Sequence, residues 1–130
     1  MVLVGVLLFL PKEKVNAPVV LTDSGIKVFS PLSDAPIISP ITITGIVTGN
    51  GWTGFEGQVG TVHVLDGTGK ELAATFLKAT TEWTQLPTNF EATLEFSNPH
   101  TKVGSLVFYN ENASGDSVRD KTFILPITFK

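Results

Sequence analysis

Cysteine is absent from the 130-residue sequence. Disulfide bonds, thiolate zinc sites and cysteine nucleophiles are therefore excluded. The absence does not by itself place the protein in the cytosol, because exported bacterial domains also lack cysteine. A chain of this length forms one domain and can bury roughly two-thirds of its unfolded surface, which is enough for a core without covalent staples.

Clustered positive charge is also missing. The nine basic residues are scattered from Lys12 to Lys130, and the net charge is −3. Binding to nucleic acid requires a basic stripe or patch that neutralises phosphates. The sequence therefore predicts no nucleic-acid partner.

A hydrophobic run long enough to span a membrane is lacking. Residues 1–10 are apolar, but the run stops at Pro11-Lys12, whereas a spanning helix needs about 20 apolar residues. Two interpretations are open: the remnant of a clipped signal peptide or anchor, or an extra strand or ordered apolar tail. We assign residues 1–25 to this apolar remnant and a linker, with membrane contact only through a truncated anchor, and residues 26–130 to the folded domain.

Helical periodicity is absent, and alternation with a period of two recurs between turn residues. Seven strands are predicted, at residues 26–30, 41–48, 58–66, 71–79, 89–97, 104–110 and 122–129. Many short strands without helices predict an all-β immunoglobulin-like β-sandwich of about seven strands.

Individual strands also predict core positions. Residues 89–97 alternate apolar and polar side chains, with Phe90, Ala92, Leu94 and Phe96 facing the core. In residues 58–66, Val59 and Val62 both suit the core although they are three apart, so Gly60 is expected to form a bulge. Further predictions are a core pair of Leu106 and Phe108, a core-facing stripe of Phe123, Leu125, Ile127 and Phe129, and an edge or bulge position for Pro126.

The stretch before the third strand is glycine-rich and carries Trp52, Phe55 and Glu56. Two large rings in water are costly, so at least one is expected to fold back onto the core. Glu56 has two interpretations. Its carboxylate either binds an amine or a cation of a ligand, or accepts backbone N–H bonds and holds the glycine loop closed.

Trp83 and Tyr109 are the other candidates for surface recognition. Exposed tryptophans in a groove would stack on sugar rings or peptides, whereas the alternative makes Trp52 and Trp83 core residues, since tryptophan is largely buried on average. Clustering of Trp52, Trp83 and Tyr109 on one exposed face would favour glycan binding. Burial of all three would favour a spacer or a protein-binding edge.

Catalytic and metal-binding motifs are missing. The sequence has no Gly-x-Ser-x-Gly elbow, phosphate-binding glycine loop or His-Glu-x-x-His motif. His63 and His100 are far apart, and the carboxylates of Glu111, Asp116 and Asp120 fit no EF-hand spacing, although hard oxygen ligands suit calcium. We predict no catalytic, cofactor-binding or metal-ligating residues, and hence no enzyme and no cofactor.

Eleven short pieces of sequence occur in an order found in a known family. They are residues 26–31, 38–45, 52, 55–56, 65–66, 69–72, 82–84, 90–96, 104–108, 112–115 and 125–129. In this order the chain resembles the immunoglobulin-like domain of bacterial spore germination. The family stretch usually runs Trp-Phe-Phe-Glu, whereas Thr53-Gly54 follow the tryptophan here.

The resemblance implies a non-catalytic, extracytoplasmic bacterial module, secreted or membrane-anchored, without implying sporulation. We expect surface recognition of an envelope protein or a cell-wall glycan through loop ends or an edge strand. A purely structural spacer and a carbohydrate-binding module that uses loop tryptophans are the alternatives. The candidate binding residues are Trp52, Phe55, Glu56, Trp83 and Tyr109. The sequence does not determine an oligomeric state.

Overall fold

The computed structural model describes residues 24–130, so the predictions for residues 1–23 lie outside the described residues. The described chain is nearly all β, as the sequence predicts, with eight strands and one short 3₁₀ turn at Ser117–Arg119. The strands are β1 (Ile26–Ser30), β2 (Pro36–Ile37), β3 (Ile41–Val47), β4 (Gln58–Asp66), β5 (Glu71–Ala79), β6 (Thr88–Leu94), β7 (Val103–Asn110) and β8 (Thr122–Phe129).

The strands follow the order β1-β3-β6-β5-β4-β7-β8-β2 in one continuous sheet that curls into two layers. One layer is β1-β3-β6 and the other is β5-β4-β7-β8-β2. Strand β5 joins them, because it pairs with β4 along most of its length but with β6 only at Lys78 and Ala79. The predicted immunoglobulin-like sandwich is confirmed, with eight strands rather than seven.

The additional strand, β2, is two residues long and pairs in parallel with the end of β8. So short a segment has no alternating pattern, and its proline, Pro36, argues against a strand in a prediction from sequence. Pro126 of β8 lies opposite Ser105, and its carbonyl accepts a hydrogen bond from the Asp34 N–H (2.7 Å) in the connection before β2. Its backbone therefore points away from β7, so the missing N–H interrupts no β7–β8 hydrogen bond, although the outermost strand is β2 and not β8.

The predicted bulge at Gly60 is present. The β4–β5 register shifts between Gln58 and Gly60, and Val59 and Val62 are both fully buried. Gly60 has φ 145°, and a methyl group there would lie 2.2 Å from the Tyr109 carbonyl oxygen. Only glycine fits this conformation and this close approach.

The core lies between the layers and draws on both. Phe90, Ala92 and Leu94 are buried, as are Leu106 and Phe108, which confirms the predicted inward faces. The predicted stripe of β8 also packs inward, with Leu125 and Ile127 buried and Phe123 and Phe129 partly buried against the core.

Each layer also has an outer surface. We call the outward positions that pair across β1, β3 and β6 the polar face, namely Lys27, Thr42, Thr44, Ile46, Asn89, Glu91 and Thr93. Phe29, at the irregularity of β1, is unpaired and exposed. We call the outer side of β5-β4-β7-β8 the apolar face. Its two central rows, read across paired strands, are Phe76–Thr61–Tyr109–Thr122 and Ala74–His63–Val107–Ile124.

Candidate functional site

Three loops meet at one end of the sandwich: residues 48–57 after β3, residues 80–87 after β5, and residues 111–121 after β7. Asn110 Nδ2 donates to the Gly51 carbonyl (2.7 Å), which ties β7 to the first loop. Gly54 lies against the second loop, where a methyl group would be 2.5 Å from the Trp83 carbonyl oxygen. We call this surface the three-loop end.

Trp52 anchors the first loop from inside. Its side chain is 1% exposed and belongs to the core cluster, and its N–H donates to the Gly49 carbonyl (3.0 Å). The prediction that one ring folds back onto the core is confirmed. This burial takes Trp52 out of the set of side chains that can touch a partner.

Phe55 opens a two-residue turn at the tip of the same loop. Phe55 and Gln58 exchange both backbone hydrogen bonds (2.7 and 3.1 Å), and the residues between them, Glu56 and Gly57, have φ 52° and 85°. Positive φ at both central positions is the type I′ hairpin geometry. The turn lifts Phe55 so that its ring is 42% exposed.

The Phe55 ring packs on the half-buried Trp83 of the second loop. Their centroids are 6.5 Å apart with an interplanar angle of 68°, an edge-to-face contact. Such pairs contribute roughly 0.5–1.5 kcal/mol beyond their buried area. The two loops therefore present one joint aromatic surface instead of two independent rings.

Glu56 is exposed at the tip of the turn, and its carboxylate makes no hydrogen bond to any residue between 24 and 130. Of the two interpretations of Glu56, the one in which its carboxylate accepts backbone N–H bonds and holds the loop closed is wrong. The reason is local, because the N–H groups of Phe55 and Gln58 already bond across the turn to each other's carbonyls. The side chain is left free to meet a ligand.

The third loop places a second carboxylate near Glu56. Partial burial raises the pKa of Glu111 above its ordinary value of 4.5, and the negative charge of Glu56 raises it further. The two carboxylates therefore repel each other across the boundary between the first and third loops. A cationic group placed between them would relieve this repulsion.

The other acids of the third loop hold its backbone together. The Asp116 carboxylate accepts from the Val118 N–H (3.2 Å), and Asn112 Nδ2 donates to Asp120 Oδ1 (2.7 Å). No group of three or more histidine, cysteine or acidic side chains arranged for a metal occurs within the described range 24–130. These carboxylates act here as hydrogen-bond acceptors for the loop.

The three-loop end is acidic as a whole. Its residues include five carboxylates, of Glu56, Glu82, Glu111, Asp116 and Asp120, against two basic side chains, Arg119 and Lys121. The net charge of this surface is thus −3, equal to that of the whole chain. Leu86 and Val118 add exposed apolar side chains.

Tyr109 does not join this site. It lies in the apolar face, where its ring meets the His63 ring edge-on at a centroid distance of 5.1 Å. The rings of Trp52, Trp83 and Tyr109 therefore neither cluster on one surface nor share one burial state. The candidates that the structure brings together are Phe55, Glu56 and Trp83.

Sequence reasoning missed Leu86 and the part that Glu111 plays at this site, and it missed the exposed Phe76 and Ile124 of the apolar face. Leu86 gave no sequence signal, because a leucine in a loop belongs to no alternating pattern of apolar and polar residues. Phe76 and Ile124 did give a sequence signal, because β5 and β8 contain apolar residues at outward as well as inward positions.

Within residues 24–130 no helix has the length and the apolar character needed to cross a membrane. No curated protein and no solved structure shows significant similarity to the chain. The family model of the immunoglobulin-like domain of bacterial spore germination matches residues 25–117, which covers β1 to β7 and reaches the 3₁₀ turn. Strand β8, beyond that match, completes the second layer. The two-layer fold and this match together establish that the chain belongs to the family of immunoglobulin-like domains of bacterial spore germination.

Proposed function

We propose that the chain is a non-catalytic binding module of the bacterial cell envelope, acting outside the cytoplasm. It recognises an amine-bearing segment of an envelope protein or of the cell wall through the three-loop end. The observation that carries the proposal is the contact of the exposed Phe55 with the half-buried Trp83, together with the exposed, unpaired carboxylate of Glu56, which follows Phe55 in the turn. Membership of the family agrees with a role without catalysis.

The surface suits a ligand with a positive charge and an apolar neighbour. Aromatic rings supply contact area with few rotatable bonds, so little conformational entropy is lost when they are covered. The local charge of −3 attracts cations and raises their local concentration. Loops held on a rigid sandwich are the usual position for such recognition.

The turn itself supports a functional role for Glu56. A non-glycine residue at φ 52° is uncommon, and asparagine tolerates this region far better than glutamate. Keeping glutamate there costs stability, on the order of 1 kcal/mol. A carboxylate retained at an unfavourable backbone position, without a hydrogen bond of its own, points to a use at the surface.

The test compares three variants in a sedimentation assay on purified peptidoglycan and a pull-down from envelope extract. Phe55→Ala and Trp83→Ala remove the aromatic pair, and Glu56→Asn removes the carboxylate while favouring the type I′ turn. We expect each variant to weaken binding at least about tenfold. We expect Glu56→Asn to be as stable as the native chain or more stable by about 0.5 kcal/mol.

The matched controls are Leu32→Ala and Glu95→Gln, which alter an exposed apolar and an exposed acidic side chain outside the three loops. Both are expected to bind like the native chain. Binding should also weaken as ionic strength rises, because exposed charges are screened. Native affinity in all three loop variants would overturn the proposal and leave a spacer role. Loss of binding in the ring variants alone, with no effect of Glu56→Asn or of salt, would indicate an uncharged glycan.

A further inference from the structure

The apolar face is an unusual outer surface for a soluble sandwich layer. Phe76 is 59% exposed and Ile124 is 60% exposed, at opposite margins of the face. Between them Val107 is only 5% exposed, yet it does not belong to the core cluster. Val107 is therefore buried on the outer side, by the side chains that surround it on the face.

Charge is absent from the two central rows of this face. No lysine, arginine, aspartate or glutamate occurs among their eight residues. The nearest acid, Glu71, is occupied at the margin, where its Oε1 bonds His63 Nδ1 at 2.6 Å. The face contrasts with a molecule that otherwise carries net negative charge.

The histidine of this face is already engaged, and the other polar groups of the two rows are the hydroxyls of Thr61, Tyr109 and Thr122. His63 uses one ring nitrogen for Glu71 and the other for the Thr61 hydroxyl (3.3 Å). A polyhydroxylated glycan laid on this face would find few free hydrogen-bonding partners and would lose bonds to water. The chemistry favours an apolar protein surface as the occupant.

We propose that the apolar face binds the apolar face of a second copy of this chain, so that the domain forms a two-fold symmetric dimer. A copy supplies a surface of the same neutral chemistry, and the polar faces of both subunits then point outward to water. The proposal is independent of the three-loop end, which lies at the end of the sandwich and stays open in such a dimer.

The geometry also suggests a register. A two-fold axis parallel to the strands places β8 of one subunit over β5 of the other, because the strand order across the face is β5-β4-β7-β8. Ile124 of β8 shares a row with Ala74 of β5. A shallow hollow of about 170 Å³ lies there, lined by Thr61, His63, Ala74, Thr75 and Phe76. Ile124 of each subunit would enter the hollow of the other.

The available area sets the expected affinity. Four strands about 4.8 Å apart and roughly seven residues of ~3.3 Å along each give a face of roughly 19 by 23 Å. Two such faces bury roughly 900 Å² in total, just below the lower limit of about 1,000 Å² for a specific interface. We therefore expect a reversible dimer with a dissociation constant in the micromolar range.

The first experiment is sedimentation velocity on the full 130-residue chain from about 5 to 500 µM. We expect a concentration-dependent dimer, at least tenfold weaker in Ile124→Lys. The matched control Thr93→Lys places the same charge on the polar face and should leave the dimer unchanged. A native chain that stays monomeric at 500 µM overturns the proposal, as does a dimer that Ile124→Lys leaves intact.

The second experiment does not depend on how well a lysine is tolerated. Because the chain has no cysteine, an Ala74→Cys variant mixed with an Ile124→Cys variant has one thiol in each subunit, and the two thiols lie opposite each other in the proposed dimer. We expect a disulfide-linked heterodimer under mild oxidation, and none when Thr93→Cys replaces Ile124→Cys. Equal cross-linking in both mixtures, or none in either, overturns the proposed arrangement.

Discussion

The two outer faces of this sandwich cover the same core and have opposite chemistry. In the layer that carries the polar face, buried residues such as Ile43 and Phe90 alternate with outward threonines and with the charged Lys27 and Glu91. On the apolar face the outward positions are themselves apolar, and Val107 is as buried as a core residue. Only the first layer shows the pattern of a sheet with one solvated side.

The difference shows that burial in this domain is not confined to the space between the layers. Neighbouring residues of β7, Leu106 and Val107, point to opposite sides and are both buried. Strands buried on both sides are typical of sheets that are covered on both sides. The outward side chains of the polar face are those of a sheet exposed to water. Those of the apolar face have the composition of a sheet surface that is covered.

The largest difference in stability between the two faces should appear when a charge is placed on each of them. We expect Val107→Asp to destabilise the fold by at least about 3 kcal/mol, because an ionised group without a partner loses its hydration there. Thr93→Asp on the polar face should stay within about 0.5 kcal/mol of the native chain, since its side chain stays in water. Urea denaturation at low protein concentration measures both. Equal effects at the two positions would show that the faces do not differ in burial.

Much of the fold could be predicted from sequence because its signals are local. Alternation identified the seven longer strands, and the spacing of Val59 and Val62 around Gly60 identified the bulge. The order of strands in the sheet has no such signal. Strand β5 leaves β4 and reaches β6 only at its last two residues, and this pairing depends on contacts between distant parts of the chain.

The candidate site could be predicted only in part. The cost of exposing two rings correctly implied that Trp52 or Phe55 would be buried, and Trp52 is. The choice between the two interpretations of Glu56 could not be made from sequence, because it depends on which backbone N–H groups are already bonded in the turn. Likewise, the separation of Tyr109 from Trp83 follows from strand pairing and loop positions, which composition does not encode.

An intermediate effect is expected from reversing a charge on the polar face. Glu91 of β6 lies directly opposite Lys78 of β5, at the point where the two layers join. Glu91→Lys places like charges across the strand pair and should cost roughly 0.5 kcal/mol in low salt. The loss should shrink at about 1 M salt, where screening acts within a few ångströms. The comparison is Ile124→Lys on the apolar face, whose effect on stability should not depend on salt in this way.

A loss for Glu91→Lys that stays the same at all ionic strengths would mean that packing, not charge, governs this pair. The two faces would then differ in shape more than in electrostatics. Circular dichroism melts at two salt concentrations distinguish these cases. Lys78→Glu serves as the reciprocal control, because it also sets like charges opposite each other and should show the same salt response.

The smallest effect concerns a carboxylate at the loop margin of the apolar face, where Glu111 directly follows β7. Burial, and then the charge of Glu56, raise the pKa of Glu111 above 4.5 in the folded protein. The folded state therefore holds this proton more tightly than the unfolded state does. The stabilisation is complete below the unfolded pKa and is lost as pH rises through the raised folded pKa.

Glu111→Gln cannot lose a proton, so its melting temperature relative to the native chain should rise as pH is raised from about 4 to 7. Glu95→Gln, an exposed acid beyond β6, is the control and should give a smaller change. A flat difference for Glu111→Gln would contradict the burial of this carboxylate. A difference that disappears in a Glu56→Gln background would assign the effect to repulsion between the two loops.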